Sequence, residues 1–491
     1  MSPKLNTRVW VGIALFFVAF LLAVAAQSIR AQTAADKKDD ATVEELKARL
    51  KQLEQTVQEL KSQITTVEDS QKKSALVASA PVPTDASGTA AIVPVKHTPT
   101  EPAKPLDPKK KQDDVKGEST FEIYGFIMMD AGYEFKQQHP DWFDVVRPTK
   151  LPSFKDEFGP DGHTFFGVRQ TRLGVKSSTP TKWGELKTQF EFELFGTGVD
   201  AGQTTFRLRH AYGELGQFGA GQTWSPFMDI DVFPNSIEYW GPTGMVFFRN
   251  VQARWMPIKG RSFVTVALER PGASADQGNF ADRIELENVR PKFAWPDLSA
   301  EARYAKDWGY VEVAGILRSM RWVDLNTTDN VDLSGSDVGW GINLSSNLNF
   351  SKRDIGRFQV MYGEGVENYM NDAPVDVGIE TNFGDPRRPI KGVALPVLGI
   401  VAFLDHNWSD KLSTSFGYSM INIENSNGQA DNAFHRGHYG LANLLYKPMD
   451  RVMVGGELQW GKRENFRDGF SPDDVRIQFS FKYNFSKMFK L

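Results

Sequence analysis

The chain has no cysteine among its 491 residues, so no disulfide can hold it, and a small cross-linked secreted scaffold is excluded. It lacks a strong charge of either sign. A net charge of −4 leaves no electrostatic footprint for bulk nucleic-acid binding. Beyond residue 32 no apolar run approaches ~18 residues, which excludes helical membrane spans. A β-barrel passes the same test, because its inward polar residues dilute the hydropathy of every strand. There is no HExxH, no Gly-x-Ser-x-Gly elbow and no phosphate-cradling glycine loop, and the seven histidines are scattered. Neither catalysis nor a cofactor nor a bound metal is expected from such a chain.

What is present falls into consecutive segments. Residues 1–32 read as a secretory signal: Lys4 and Arg8 lead into an apolar stretch from Trp10 to Ala26, followed by small residues that suit a signal peptidase. Residues 36–72 carry a heptad, with Val43, Leu50, Val57 and Ile64 at a and Leu46, Leu53, Leu60 and Val67 at d. So narrow an apolar stripe gains little alone, which predicts a parallel oligomerising coiled coil. Residues 73–118 hold seven prolines and no Phe, Tyr or Trp, the composition of an extended linker.

Residues 119–485 are different. Val475, Ile477, Phe479, Phe481, Tyr483 and Phe485 alternate with Arg476, Gln478, Ser480, Lys482 and Asn484, giving one aromatic and one wet face. Other short segments repeat this pattern. Tight connections at 179–183, 216–219, 257–260, 306–309, 350–355, 407–410 and 447–450 alternate with long ones at 136–163, 198–203, 224–246, 271–282, 324–337, 366–395, 425–436 and 462–473. Strict sorting of connections by length predicts an all-β fold: about 16 antiparallel strands in a transmembrane barrel, both chain ends on the tight-turn side. Counting the alternation back from Phe485 makes residues 486–491 a short tail.

Strand parity places Arg172, Lys176, Arg207, Arg209, Arg254, Arg303 and Arg318 on the inner wall, with Phe206, Leu208 and Tyr212 facing lipid. A guanidinium at the lipid midplane costs about 2–4 kcal/mol, so the lumen is the cheaper side. There the cations either draw anions into the pore or brace the wall by pairing with Glu191, Glu193, Glu301 or Glu457. The long connection Trp224–Val246 mixes bulky aromatics with Asp229, Asp231, Phe233 and Glu238, and prolines stiffen it. So apolar a loop would aggregate in water. Folding into the lumen as a constriction is favoured over packing at a subunit interface. Asp229 and Asp231 lack further donors at metal-site spacing. His406 shares the parity of Leu404 and Trp408, which suits an aromatic girdle.

Four stretches resemble the DcaP-like outer-membrane porins: Gln170-Thr-Arg-Leu-Gly-Val-Lys176, Phe206-Arg-Leu-Arg-His-Ala-Tyr-Gly-Glu-Leu215, Ala220-Gly-Gln-Thr-Trp-Ser-Pro-Phe227 and His438-Tyr-Gly-Leu-Ala-Asn-Leu-Leu-Tyr446. The resemblance implies a homotrimer of 16-stranded barrels in outer-membrane lipid, with a periplasmic coiled coil. It also implies passive, mildly anion-selective passage of small solutes such as dicarboxylates. Two alternatives are a phosphate- or pyrophosphate-selective porin and an envelope tether reaching the peptidoglycan through the N-terminal segment.

Overall fold

A computed structural model of the protein describes residues 117–272, 284–292, 294–326 and 328–490. The signal, the heptad segment and the linker up to residue 116 lie outside the described residues. Strands run in chain order as β1 (Thr120–Glu134), β2 (His163–Gly167), β3 (Arg172–Thr181), β4 (Gly184–Phe195), β5 (Thr204–Leu215), β6 (Phe218–Trp224) and β7 (Arg249–Ile258). Next come β8 (Phe263–Glu269), β9 (Val289–Pro291), β10 (Asp297–Lys306), β11 (Gly309–Asp324), β12 (Gly335–Asn349) and β13 (Asp354–Glu364). The chain ends with β14 (Val377–Thr381), β15 (Ile390–Ala394), β16 (Pro396–Asn407), β17 (Leu412–Ile423), β18 (Phe434–Tyr446), β19 (Val452–Asn465) and β20 (Asp473–Lys490).

β2 continues β3 along β1, and β9 continues β10 along β11, so the wall has 16 antiparallel staves. β14 and β15 form a separate hairpin inside a long connection. The barrel closes where β1 pairs with β20 over fifteen residues, from Thr120–Lys490 to Glu134–Arg476. All seven tight turns fall where the length pattern predicts, with both ends of the barrel on the tight-turn side; so do the long connections, except that the one expected at 271–282 lies mostly outside the described residues and the wall resumes only at β9 and β10.

Alternation decides which solvent each face meets. On β11, Val311, Val313 and Leu317 are exposed, while Glu312, Ala314, Ile316 and Arg318 are buried inside. The exposed set continues round the wall through Ile342, Leu344, Val360, Phe416, Leu444, Leu458, Phe479 and Phe481, a belt suited to lipid.

Three expectations are corrected. The last strand does not stop at Phe485: residues 486–490 pair with Thr120–Tyr124, and Phe489 keeps the outward parity of Phe485. Lys487 breaks the apolar pattern at the rim, where a lipid-side lysine costs only about 0–1 kcal/mol. Second, Tyr212 faces the lumen. Glu191 pairs with His210 but Phe192 pairs with Leu208, so Arg209 is an extra residue and the bulge flips every side chain after it. Third, the inner face is not uniformly wet. Val397, Val401 and Phe403 of β16, Ile421 and Ile423 of β17, and Leu441 of β18 turn inward into an apolar core. The unbroken run Val397-Leu-Gly-Ile-Val-Ala-Phe-Leu404 is the signature of a strand covered on both faces.

Candidate functional site

What covers that core is the third long connection, L3 (residues 225–248). Phe227, Met228, Val232, Met245, Val246 and Phe248 are buried against the inward residues of β11, β13, β16, β17 and β18, with Phe233 packed at the edge. Polar contacts fasten the rest. Asp229 accepts from Arg303 at 2.7 Å, Tyr310 at 2.7 Å and Ser345 at 2.6 Å. Arg303 also pairs with Asp231 and with Glu312. The two aspartates thus share one guanidinium.

Farther along, Ile237 donates its N–H to Glu457 at 3.0 Å, and its carbonyl accepts from Gln170 at 2.8 Å and Gln478 at 3.0 Å. Glu238 is 2% exposed and accepts from Val146 N at 3.2 Å and Tyr439 Oη at 3.3 Å. It anchors the loop from within. The chain turns at Gly241, φ +86°, where a Cβ would strike the Phe233 ring. Gly244 N then donates to Ser419 Oγ at 2.9 Å. L3 therefore lies across the lumen.

The predicted inner-wall cations all point inward, yet they divide by what they touch. Glu193 on β4 stands between Arg172 on β3 and Arg207 on β5, its direct cross-strand partners. Arg209 binds Glu193 at 2.7 Å and Glu191 at 2.6 Å, and Arg249 lies 3.8 Å from Glu193. Arg172 reaches Glu193 at 3.3 Å and Glu191 at 3.6 Å, and Arg207 reaches Glu193 at 3.8 Å. Four guanidinium groups thus converge on two carboxylates. Arg209 and Arg249 are 5% and 4% exposed, whereas Arg172 and Arg207 keep 24% and 16% of their surface open.

Arg318 is a brace. It is 1% exposed, held by Asp297 at 3.2 Å and Asp376 at 3.4 Å, and it donates to the carbonyls of Gly365 and Gly272. Arg303 ties L3 to the wall, as described. Arg254 bonds the Gln252 side chain at 2.8 Å and the Trp224 carbonyl, and Lys176 sits over the Tyr124 ring at 4.4 Å.

Several residues escape parity reasoning. Between β2 and β3 the ladder breaks, and Thr171 Oγ1 stands in by accepting from Met128 N at 3.2 Å. Consecutive Arg169 and Gln170 can then both turn inward. Arg169 pairs with Asp144 and donates to the Gly196 carbonyl at 2.9 Å, while Gln170 grips L3. Asp144 lies in the first long connection, where burial raises its carboxyl above the usual range and Arg169 opposes the shift. Arg249 also belongs to the inner wall. Lys482 and Arg476 lie there as well, where the alternation of β20 puts them.

The DcaP outer membrane protein family matches residues 109–485. The crystal structure of the outer membrane channel DcaP of Acinetobacter baumannii superimposes with a TM-score of 0.62 at 19% identity, covering 75% of this chain and 98% of that one. An anion-selective porin from Comamonas acidovorans aligns at a TM-score of 0.49 and 10% identity, over 75% of this chain and 100% of that one. Among curated proteins, none matches.

Proposed function

Because the chain belongs to the DcaP outer membrane protein family, an outer-membrane β-barrel of the porin type, we propose that it passes small anionic solutes passively, with dicarboxylates as the typical cargo. The observation that carries this reading is the wall formed by β3, β4 and β5. There Arg172, Arg207, Arg209 and Arg249 converge on Glu191 and Glu193, and Arg172 keeps 24% of its side chain open to the lumen. The carboxylates hold the fork geometry in place, and the open guanidinium face acts on whatever passes. There an anion can exchange hydration for guanidinium N–H groups.

On the family resemblance, the functional unit is a homotrimer of barrels in lipid; the heptad of residues 43–67 supplies the oligomerising clamp, though its β-branched a and leucine d positions by themselves lean toward dimers. Deleting residues 36–118 separates this role from an envelope tether. Loss of the assembled oligomer supports the clamp. Loss of envelope integrity with unchanged oligomer and conductance supports the tether.

The selectivity test is a planar-bilayer measurement with asymmetric KCl. Anion permeation gives a reversal potential displaced toward the chloride equilibrium value. A reversal potential on the potassium side, or no conductance, overturns the reading.

A further inference from the structure

On the tight-turn side of L3, three inward cations form no ion pair with a carboxylate among the described residues, and each rests on an aromatic ring. Lys482 Nζ lies 3.9 Å from the centre of Phe126, Lys176 Nζ 4.4 Å from Tyr124, and the Arg254 guanidinium 5.2 Å from Tyr212. Phe126 and Tyr124 come from the neighbouring strand β1 and Tyr212 from β5, across β6 from Arg254, and two of the rings lie in seats made by glycine. A Cβ at Gly174 would collide with Tyr124, and one at Gly219 with Tyr212. The bulge at Arg209 is what turns Tyr212 toward Arg254 at all.

Nearby carboxylates form no ion pair with these cations: of the two beside Arg254, Glu269 accepts from Ser225 Oγ at 2.7 Å and Glu301 is hydrogen-bonded to Thr265. Glu122, opposite Lys176 in the ladder, accepts from Ser486 Oγ at 2.6 Å. Glu214 is held by Lys259 at 2.8 Å, and Asp130 accepts from Gln170 at 3.0 Å and Gln478 at 3.0 Å. A ring face holds a cation by its quadrupole without neutralising it, whereas a carboxylate cancels it. Lys176, Tyr212 and Arg254 line one cavity of about 380 Å³ at the tight-turn mouth, together with a third cation, Lys187, and with Glu122 and Glu214, the second of which is held by Lys259. That space accommodates a small dianion.

We infer that Lys482, Lys176 and Arg254, each seated on an aromatic ring, form an anion track below L3 that ends in this cavity and binds small dianions. This inference deepens the reading of the chain as an anion porin and rests on it. The track adds a second anion-selective stretch, on the tight-turn side of the constriction, to the carboxylate-held arginines of β3, β5 and β7.

The test uses the full chain in planar bilayers under a KCl gradient, with succinate or inorganic phosphate then added to the tight-turn side. Assembly is checked by heat-modifiable electrophoresis. In wild type both probes reduce chloride current in a saturable way if the track reads dianionic charge, and only succinate does so if it reads carboxylates. No reduction by either probe overturns the dianion site. The triple variant K176Q/R254Q/K482Q loses the block and lowers the chloride-to-potassium permeability ratio by roughly twofold or more. A wild-type channel selective for cations refutes the underlying reading. An anion-selective wild type whose triple variant behaves identically refutes only the track.

Should the triple variant fail to assemble, Lys176→Cys supplies the same test, since the protein has no other thiol. A cationic methanethiosulfonate restores anion preference and an anionic one depresses it further. Equal responses to the two reagents overturn the track.

Discussion

Arg303 holds Asp229 at 2.7 Å while also gripping Asp231 and Glu312, so one guanidinium from β10 fastens the start of L3 to the wall. Removing it strands three carboxylates around an empty site. Arg303→Gln is expected to destabilise the barrel by about 3 kcal/mol, the usual cost of breaking a buried pair from one side. It also frees L3, raising single-channel conductance and current noise. Urea unfolding in lipid vesicles and single-channel recording check the two halves separately. Unchanged conductance would mean that the apolar half of L3 suffices to hold it.

Glu193 receives four arginines at 2.7 to 3.8 Å and is 0% exposed. Glu193→Gln leaves their charges with one carboxylate instead of two. The expected outcome combines greater anion selectivity with poorer folding yield, because like charges then repel without compensation. Reversal potential and the fraction of heat-modifiable protein measure each. A shift toward cations would contradict the role assigned to this cluster.

Residues 486–490 pair with Thr120–Tyr124, and Lys490 Nζ meets Glu118 at 2.8 Å. Truncation after Phe485 removes one end of the closing seam. We expect a large drop in assembled barrel in the outer-membrane fraction, with full-length protein processed in parallel as control. Normal assembly of the truncated chain would restore the view that these residues are a dispensable tail.

The bulge at Arg209 makes opposite forecasts for two nearby positions. Leu208→Cys should resist a charged, water-soluble thiol reagent, and Tyr212→Cys should react with it through the lumen. Equal reactivity would mean that the parity does not switch.

Val313 is 50% exposed on the outward face of β11 and Met449 is 64% exposed in a tight turn. Arginine at Val313 is expected to cost about 2–4 kcal/mol, and at Met449 about 0–1 kcal/mol, by chemical denaturation in vesicles. Similar costs at both sites would misplace the lipid belt.

Much of this architecture is legible in the residues themselves. Sorting of connections by length counts the staves, because a hairpin inside the periplasm needs few residues and an outer loop tolerates many. Alternation assigns faces wherever the ladder is regular, and it sends Arg172, Arg207, Arg254 and Arg303 to the correct side. It fails where the ladder is not regular. No local signal marks Arg209 as an extra residue, and Tyr212 is misassigned in consequence. The break at Val168–Thr171 hides the inward turn of Arg169 in the same way. Parity also says where a side chain points but not what it meets. Arg318 and Lys176 look alike in sequence, yet one is clasped by Asp297 and Asp376 and the other rests on a ring. Only the fold tells a strut from a free charge.

L3 leaves the wall after β6 and makes its contacts with residues as distant in sequence as Gln478. Most of its partners are thus synthesised after it, and β20 is last. Gln170 and Gln478, beside the β1–β20 seam, both hold the Ile237 carbonyl, while the apolar half of the loop rests on β11, β13, β16, β17 and β18. The loop is therefore a cross-member: it ties the closing seam to the opposite part of the wall from within, so the barrel is braced across its diameter as well as round its circumference.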